Sequence, residues 1–207
     1  MTNEWLFRAL EESRARGFLG PGPIEPHLEH AQGYRDAWST LSLDPPARWM
    51  DLGSGGGLPG LYLLTEWNTS GTLLDAMIKR TSFLSEVLRW SDAPDNGTVR
   101  NGRAEELARD PELGGEFDLV VVRSFGPPAT TAECAVRFIR EGGFILISEP
   151  PDSEGGRRWD PAGLALLGLE AVAAVEKGPT YQVLRKVSPT PDAYPRRIGI
   201  PAKRPLF

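Results

Sequence analysis

Short apolar stretches bounded by polar or glycine residues recur along this chain, and longer segments with a helical pattern lie between them. The short stretches predict strands at Arg48–Asp51, Gly71–Asp75, Thr98–Asn101, Phe117–Val122 and Phe144–Ser148. The longer ones predict helices over Leu58–Glu66, Lys79–Trp90 and Thr130–Arg140. Strand and helix in alternation imply an α/β fold with a mainly parallel sheet and helices on both faces. Two further strands, near Leu169–Val175 and Gln182–Val187, are expected as an antiparallel edge pair, which brings the sheet to seven strands. Ahead of the first strand, helical pieces over Trp5–Arg16 and Pro26–Leu41 flank Gly17-Phe-Leu-Gly-Pro-Gly-Pro23 and are read as a helical cap on the core. Asp152 to Arg158 reads as a mobile loop. The pattern is that of one domain: residues 1–46 as cap, 47–187 as core and 188–207 as a tail.

The sharpest chemical signal follows the first strand. Asp51-Leu-Gly-Ser-Gly-Gly-Gly-Leu-Pro-Gly60 is an acid, a glycine run and a helix start. Gly53, Gly55, Gly56 and Gly57 let the backbone turn sharply and approach a ligand closely. The following helix is expected to aim its free N–H groups at that ligand. Gly55-x-Gly57-x-x-Gly60 satisfies a dinucleotide fingerprint, a weak match by itself. The glycines start earlier, however, and Asp-x-Gly-x-Gly-x-Gly is the pattern of Rossmann-like S-adenosylmethionine-dependent methyltransferases. Asp51 suits the ammonium of that cofactor's methionine end and sits badly beside a pyrophosphate. A purely structural glycine turn is the plainer alternative.

Other strand ends agree. Asp75 lies about 20 residues past the glycine loop, where an acid can bond ribose hydroxyls; a turn or cap residue is the alternative reading. Gly102-Arg-Ala-Glu-Glu106 follows the third strand and is placed beside the adenine. Arg123, at the end of the fourth, stands at the mouth of the crevice where open α/β sheets bind ligands.

Taken together, Asp51 to Gly60, Leu74-Asp75, Lys79-Arg80 with Phe83-Leu84, Gly102 to Glu106 and Phe117-Asp118 through Arg123-Ser124 resemble the 16S ribosomal RNA small-subunit methyltransferase G family, also called glucose-inhibited division protein B. The ending Tyr194-Pro-Arg-Arg-x-Gly-x-Pro-Ala-Lys-x-Pro-Leu206 is similar to that family's C-terminal signature. The resemblance implies a cytoplasmic bacterial enzyme that methylates N7 of a guanine in 16S rRNA. It also implies cofactor contacts at Gly53, Leu58, Ala104, Glu105 and Arg123. The chain departs from the family at Ile147-Ser-Glu-Pro150, where Ala-Leu-Lys-Gly is frequent, and near Thr180-Tyr181, where a basic residue is common.

Composition sets the outer bounds. Hydrophobic residues are 40% and charged residues 25% of the 207, ordinary for a globular protein. No apolar run approaches the ~20 residues of a membrane span. Glu4, Glu11 and Glu12 make the N-terminus unlike a signal peptide. Cys134 is the sole cysteine, which suits a reducing compartment and a buried, inert thiol. The net charge of −5 argues against binding nucleic acid with the whole surface. Arg185, Lys186, Arg196, Arg197, Lys203 and Arg204 nevertheless stand against Asp192 alone in the last stretch. Arg196, Arg197, Lys203 and Arg204 are therefore the candidate RNA contacts, on a tail that its prolines should keep extended; a solvated tail is the alternative. His27 and His30 lie one helical turn apart without a third ligand and read as helix surface, so no metal is expected. A monomer is expected. A methyltransferase acting on a small molecule or another RNA, and a non-catalytic cofactor-binding ribosome-assembly factor, both remain open.

Overall fold

The computed structural model describes residues 3–150, 158–176 and 179–207. The chain runs α1 (Glu4–Ala15), α2 (Glu25–Ser39), β1 (Arg48–Leu52), α3 (Gly60–Glu66), β2 (Ser70–Asp75), α4 (Ile78–Val87), β3 (Gly97–Asn101), α5 (Ala104–Leu107), β4 (Phe117–Val122), α6 (Pro128–Ala135), β5 (Ile139–Ser148), α7 (Pro161–Leu166), β6 (Leu169–Glu176), β7 (Thr180–Lys186) and α8 (Ile200–Lys203). The strand order is β3-β2-β1-β4-β5-β7-β6. β1 to β5 pair in parallel, and β7 is antiparallel to both β5 and β6. Chain order reverses between β1 and β4, so the crevice for a ligand opens beyond the C-terminal ends of those two strands.

Side-chain alternation along β1 and β4 divides the core. Trp49, Leu119 and Val121 pack with α1 to α4 on one face, while Met50, Val120 and Val122 pack with α5 to α7 on the other. Both faces are covered, which is why the strands read as continuous apolar runs.

The expected N-terminal cap is part of that first layer. Trp5 is buried and its indole N–H donates to the Val87 carbonyl at 3.0 Å. Tyr34 Oη donates to the Val122 carbonyl at 2.6 Å, and Tyr181 Oη to the His30 carbonyl at 2.6 Å. The two tyrosine rings meet edge to face at 4.8 Å. Such a pair is worth about 0.5–1.5 kcal/mol beyond its buried area. Gly33 makes the approach possible, because a Cβ there would lie 2.2 Å from Tyr181 Oη. α2 is thereby fixed against the end of β4.

Several expectations need correction. The helix expected over Thr130–Arg140 ends at Ala135, because Ile139 pairs with Phe117 and starts β5. The last two strands do form the expected antiparallel edge pair, with β7 beside β5 and β6 outermost. The tail is not wholly extended, since Ile200–Lys203 forms a helical turn with Pro201 buried. The short helices α5, α7 and α8 had no clear periodicity to announce them. The expected loop at 152–157 lies outside the described residues.

Candidate active site

The glycine loop bonds most of its amides within the protein. The N–H groups of Gly53 and Ser54 donate to the Leu74 carbonyl at 2.8 and 3.0 Å, and that of Gly57 to Ser54 O at 2.7 Å. Gly55 N–H donates to Asp75 Oδ2 at 2.9 Å and Gly60 N–H to Asp51 Oδ2 at 2.9 Å. Leu61 N–H is taken by Gly57 O at 2.6 Å. A pyrophosphate-binding turn keeps such donors free for the ligand. The amides of Gly53, Ser54, Gly55, Gly57, Gly60 and Leu61 are not free in this way, a correction to the expectation of α3 N–H groups aimed at a ligand.

Asp51 is fully buried beneath the loop and does not line the cavity, which leaves it a contact through water and not a direct one. Burial pushes its carboxyl up to about 7, against the opposing hydrogen bond from Gly60. Its Oδ1 has no hydrogen-bond partner. Gly57 and Leu58 are also buried, and neither they nor Gly55 form cavity wall.

Four of the expected cofactor residues do meet. Gly53, Asp75, Ala104 and Glu105 line one cavity of about 350 Å³, together with Met77, Arg80, Phe125, Cys134 and Ala202. That volume lies in the usual range for small-molecule sites. Gly53 has φ +77°, and a Cβ on it would meet the Phe125 ring at 2.8 Å. Asp75 accepts from Gly55 N–H through Oδ2 and from Met77 N–H, at 2.8 Å, through Oδ1. Arg80 stands 3.4 Å from the same carboxylate. Asp75 thus combines a turn role with a position on the cavity wall, and its oxygens retain acceptor capacity. Cys134 is buried, and burial raises its thiol to about 12, so it serves as apolar wall.

A second cavity, of about 340 Å³, shares Ser124 and Phe125 with the first. Arg123, His30, Glu149 and Trp159 are on its wall. Ser124 has φ +51°, a rare conformation for a side-chain-bearing residue, and turns the chain between the two cavities. Arg123 Nη2 lies 3.2 Å from His27 Nδ1. Burial, then Arg123 and His27, push His30 down to about 4. Burial and Arg123 lower His27 as well. The histidines therefore belong to the site mouth rather than to a free helix surface. Among the described residues no cluster of three potential metal ligands occurs.

The tail is split in two by its contacts. Arg196 donates to Glu133 through Nε at 2.9 Å and Nη2 at 2.6 Å. Glu133 is fully buried, so Arg196 serves as an anchor and is removed from the RNA-facing set. Gly199 N–H donates to Glu105 at 3.0 Å, and Thr130 Oγ1 to the Pro201 carbonyl at 3.2 Å. These bonds bring Ala202 onto the cofactor-sized cavity. Arg197, Lys203 and Arg204 remain exposed. The residues missed in the sequence, Met77, Phe125, Glu149 and Trp159, are ordinary in type and gain meaning only by position.

A family model described as rRNA small subunit methyltransferase G matches residues 34–154. The chain is 38% identical over 172 residues to the ribosomal RNA small subunit methyltransferase G of Roseiflexus castenholzii, covering 79% of this chain and 73% of that protein. It is 33% identical over 162 residues to the protein of the same name from Fervidobacterium nodosum, covering 76% of each. Among solved structures, it is similar to a putative O-methyltransferase from Klebsiella pneumoniae, with a TM-score of 0.60 at 16% identity over 89% of this chain and 90% of that one. A putative sarcosine dimethylglycine methyltransferase from Galdieria sulphuraria gives a TM-score of 0.61 at 13% identity, over 77% and 86%. At such identities the structural likeness shows the fold alone, a Rossmann-like methyltransferase sheet.

Proposed function

The chain belongs to the rRNA small subunit methyltransferase G family, and we propose that it transfers the methyl group of S-adenosylmethionine to N7 of a guanine in 16S rRNA. The observation that carries this reading is the pairing of two cavities across Ser124-Phe125, one with a carboxylate at the end of β2 and a glycine loop most of whose amides are already bonded within the protein. A cofactor without a pyrophosphate needs no free amide nest.

The residues present fit the cofactor. The unpartnered Oδ1 of Asp51 is a buried acceptor that an ammonium group could satisfy through water. Gly53 leaves a gap under Phe125 that a Cβ would fill. Asp75 would bond the ribose hydroxyls, Met77 and Ala104 would flank the adenine, and Glu105 lies beside them. When bound, the cofactor supplies a methyl group activated by its sulfonium.

The protein then has little acid–base work to do. Guanine N7 carries a lone pair and no proton, so no general base is required. Arg123 stays charged and can position the acceptor through its guanidinium. His30, held neutral, adds no further positive charge beside it. Ser124 and Phe125 line both cavities, so base and methyl donor would occupy adjoining space. Alignment of this kind can supply about 7–11 kcal/mol of a barrier. We assign the protein to the cytoplasm as a monomer acting on 16S rRNA or the small ribosomal subunit. No helix among the described residues is long and apolar enough to cross a membrane.

The test is methyl transfer from tritiated cofactor to small subunits prepared from a strain lacking the gene. Label at a guanine that becomes sensitive to N7-specific cleavage is the expected result. Absence of label in both the particle and free 16S rRNA would overturn the substrate assignment.

A further inference from the structure

The second cavity has one carboxylate on its wall, Glu149, which the reaction as described above does not use. The side chain is almost completely buried, at 3% exposure. Its backbone is fixed at the end of β5 by the Glu149 N–H bond to the Thr180 carbonyl, 2.8 Å. Its two oxygens are held separately. Arg158 Nη1 donates to Oε2 at 2.5 Å, and Trp159 Nε1 donates to Oε1 at 2.6 Å. Charge-assisted bonds this short fix the plane of the carboxylate. A carboxylate offers about four acceptor positions, so each oxygen keeps one lone pair.

We infer that Glu149 determines base specificity by accepting hydrogen bonds from N1–H and the 2-amino group of the acceptor guanine. This inference rests on the guanine reading above. Two neighbouring acceptors match two neighbouring donors, and only guanine among the four RNA bases presents such a pair on its Watson–Crick edge. Adenine would set its N1 lone pair against the carboxylate, cytosine its N3, and uracil a carbonyl on each side of a single N–H. A buried acceptor facing another acceptor loses its hydration without recompense, which is how a polar site rejects the wrong substrate. Enzymes that act on single bases read the same edge after extruding the base. N7 lies on the far side of the guanine ring from N1 and the 2-amino group. A base anchored on Glu149 therefore presents N7 away from that carboxylate and free to meet the methyl donor, whose cavity shares Ser124 and Phe125 with this one.

The experiment compares small subunits reconstituted with 16S rRNA carrying guanosine or a single inosine at the mapped methylation site. Inosine keeps N7 and N1–H and lacks only the 2-amino group. The unmodified protein should lose at least about tenfold in kcat/KM on inosine. Glu149→Gln should shrink that ratio to within about twofold, and its cofactor affinity by calorimetry should match the parent, since Glu149 does not line the cofactor cavity. Equal methylation of guanosine and inosine by the unmodified protein would overturn the inference whether or not the variant folds. Unchanged discrimination in a Glu149→Gln protein that binds cofactor would do the same. No methylation of the guanosine particle would instead remove the guanine reading, and the Glu149 assignment with it.

Discussion

Glu133 and Arg196 form a two-pronged ion pair in which the carboxylate is wholly buried and the guanidinium only a quarter exposed. Glu133 Oε1 also accepts from the Arg196 backbone N–H at 2.8 Å. The pair ties the last stretch of chain to α6 and so holds Ala202 at the cavity lined by Gly53 and Asp75.

Glu133→Gln should loosen this tie. Breaking a buried pair from one side costs about 3–5 kcal/mol, and the loss here is capped because a released tail returns Arg196 to water. A destabilisation of about 1–3 kcal/mol is expected in urea unfolding. Cleavage by trypsin at Arg196 or Arg197 should accelerate, and cofactor affinity should fall with it. A tail that stays protected in this variant would contradict the anchoring role.

Gly53→Val should abolish cofactor binding while the fold survives. The position has φ +77°, and a Cβ would sit 2.8 Å from the Phe125 ring, so the side chain must displace that ring into the cavity. The strain costs about 1–3 kcal/mol of stability. Calorimetry should detect no binding where the parent binds. Normal affinity would show that the cofactor lies elsewhere.

Asp51 imposes a pH dependence on the cofactor-free protein. Its folded carboxyl stands at about 7, against 3.8 ordinarily. Between about pH 4 and 7 the folded state therefore keeps a proton that the unfolded chain has released. Stability from this group is fullest below that window and is lost as pH rises through it. Asp51→Asn removes the effect while retaining an acceptor for Gly60. Relative to the parent, the variant should gain a few kcal/mol between pH 4 and 8, at about 1.4 kcal/mol per unit across the window. A difference in unfolding free energy that is the same at both ends would refute the buried, protonated carboxyl.

Arg197, Lys203 and Arg204 are the exposed cations of the tail. If they meet phosphates, replacing all three with Ala weakens RNA binding and leaves cofactor affinity unchanged. Each lost contact flattens the slope of log K against log salt by about 0.7–0.9, so the triple variant should change it by roughly 2. An unaltered slope would make these residues a solvated surface only.

The sequence alone determined the elements whose signal is local. A glycine run after an apolar strand, and an acid one strand later, follow from backbone freedom and strand alternation, and Gly53 and Asp75 stand on one cavity. The sequence also showed the tail to be basic, but not which cation was committed. Arg196 and Arg197 are neighbours with the same chemistry; only folding shows that one reaches Glu133, 63 positions away, while the other stays in water. The same holds for His27, which meets Arg123 across 96 positions, and for Gly199, which bonds Glu105 across 94. Asp51 read as a ligand group because its place after β1 is legible, whereas its burial depends on α3 closing over it. Strand and turn preferences act over a few residues, so a sequence reports them directly. Which side chain loses water to which partner is decided by the reversal of strand order at β1 and β4 and by the return of the tail, and those are properties of the tertiary structure.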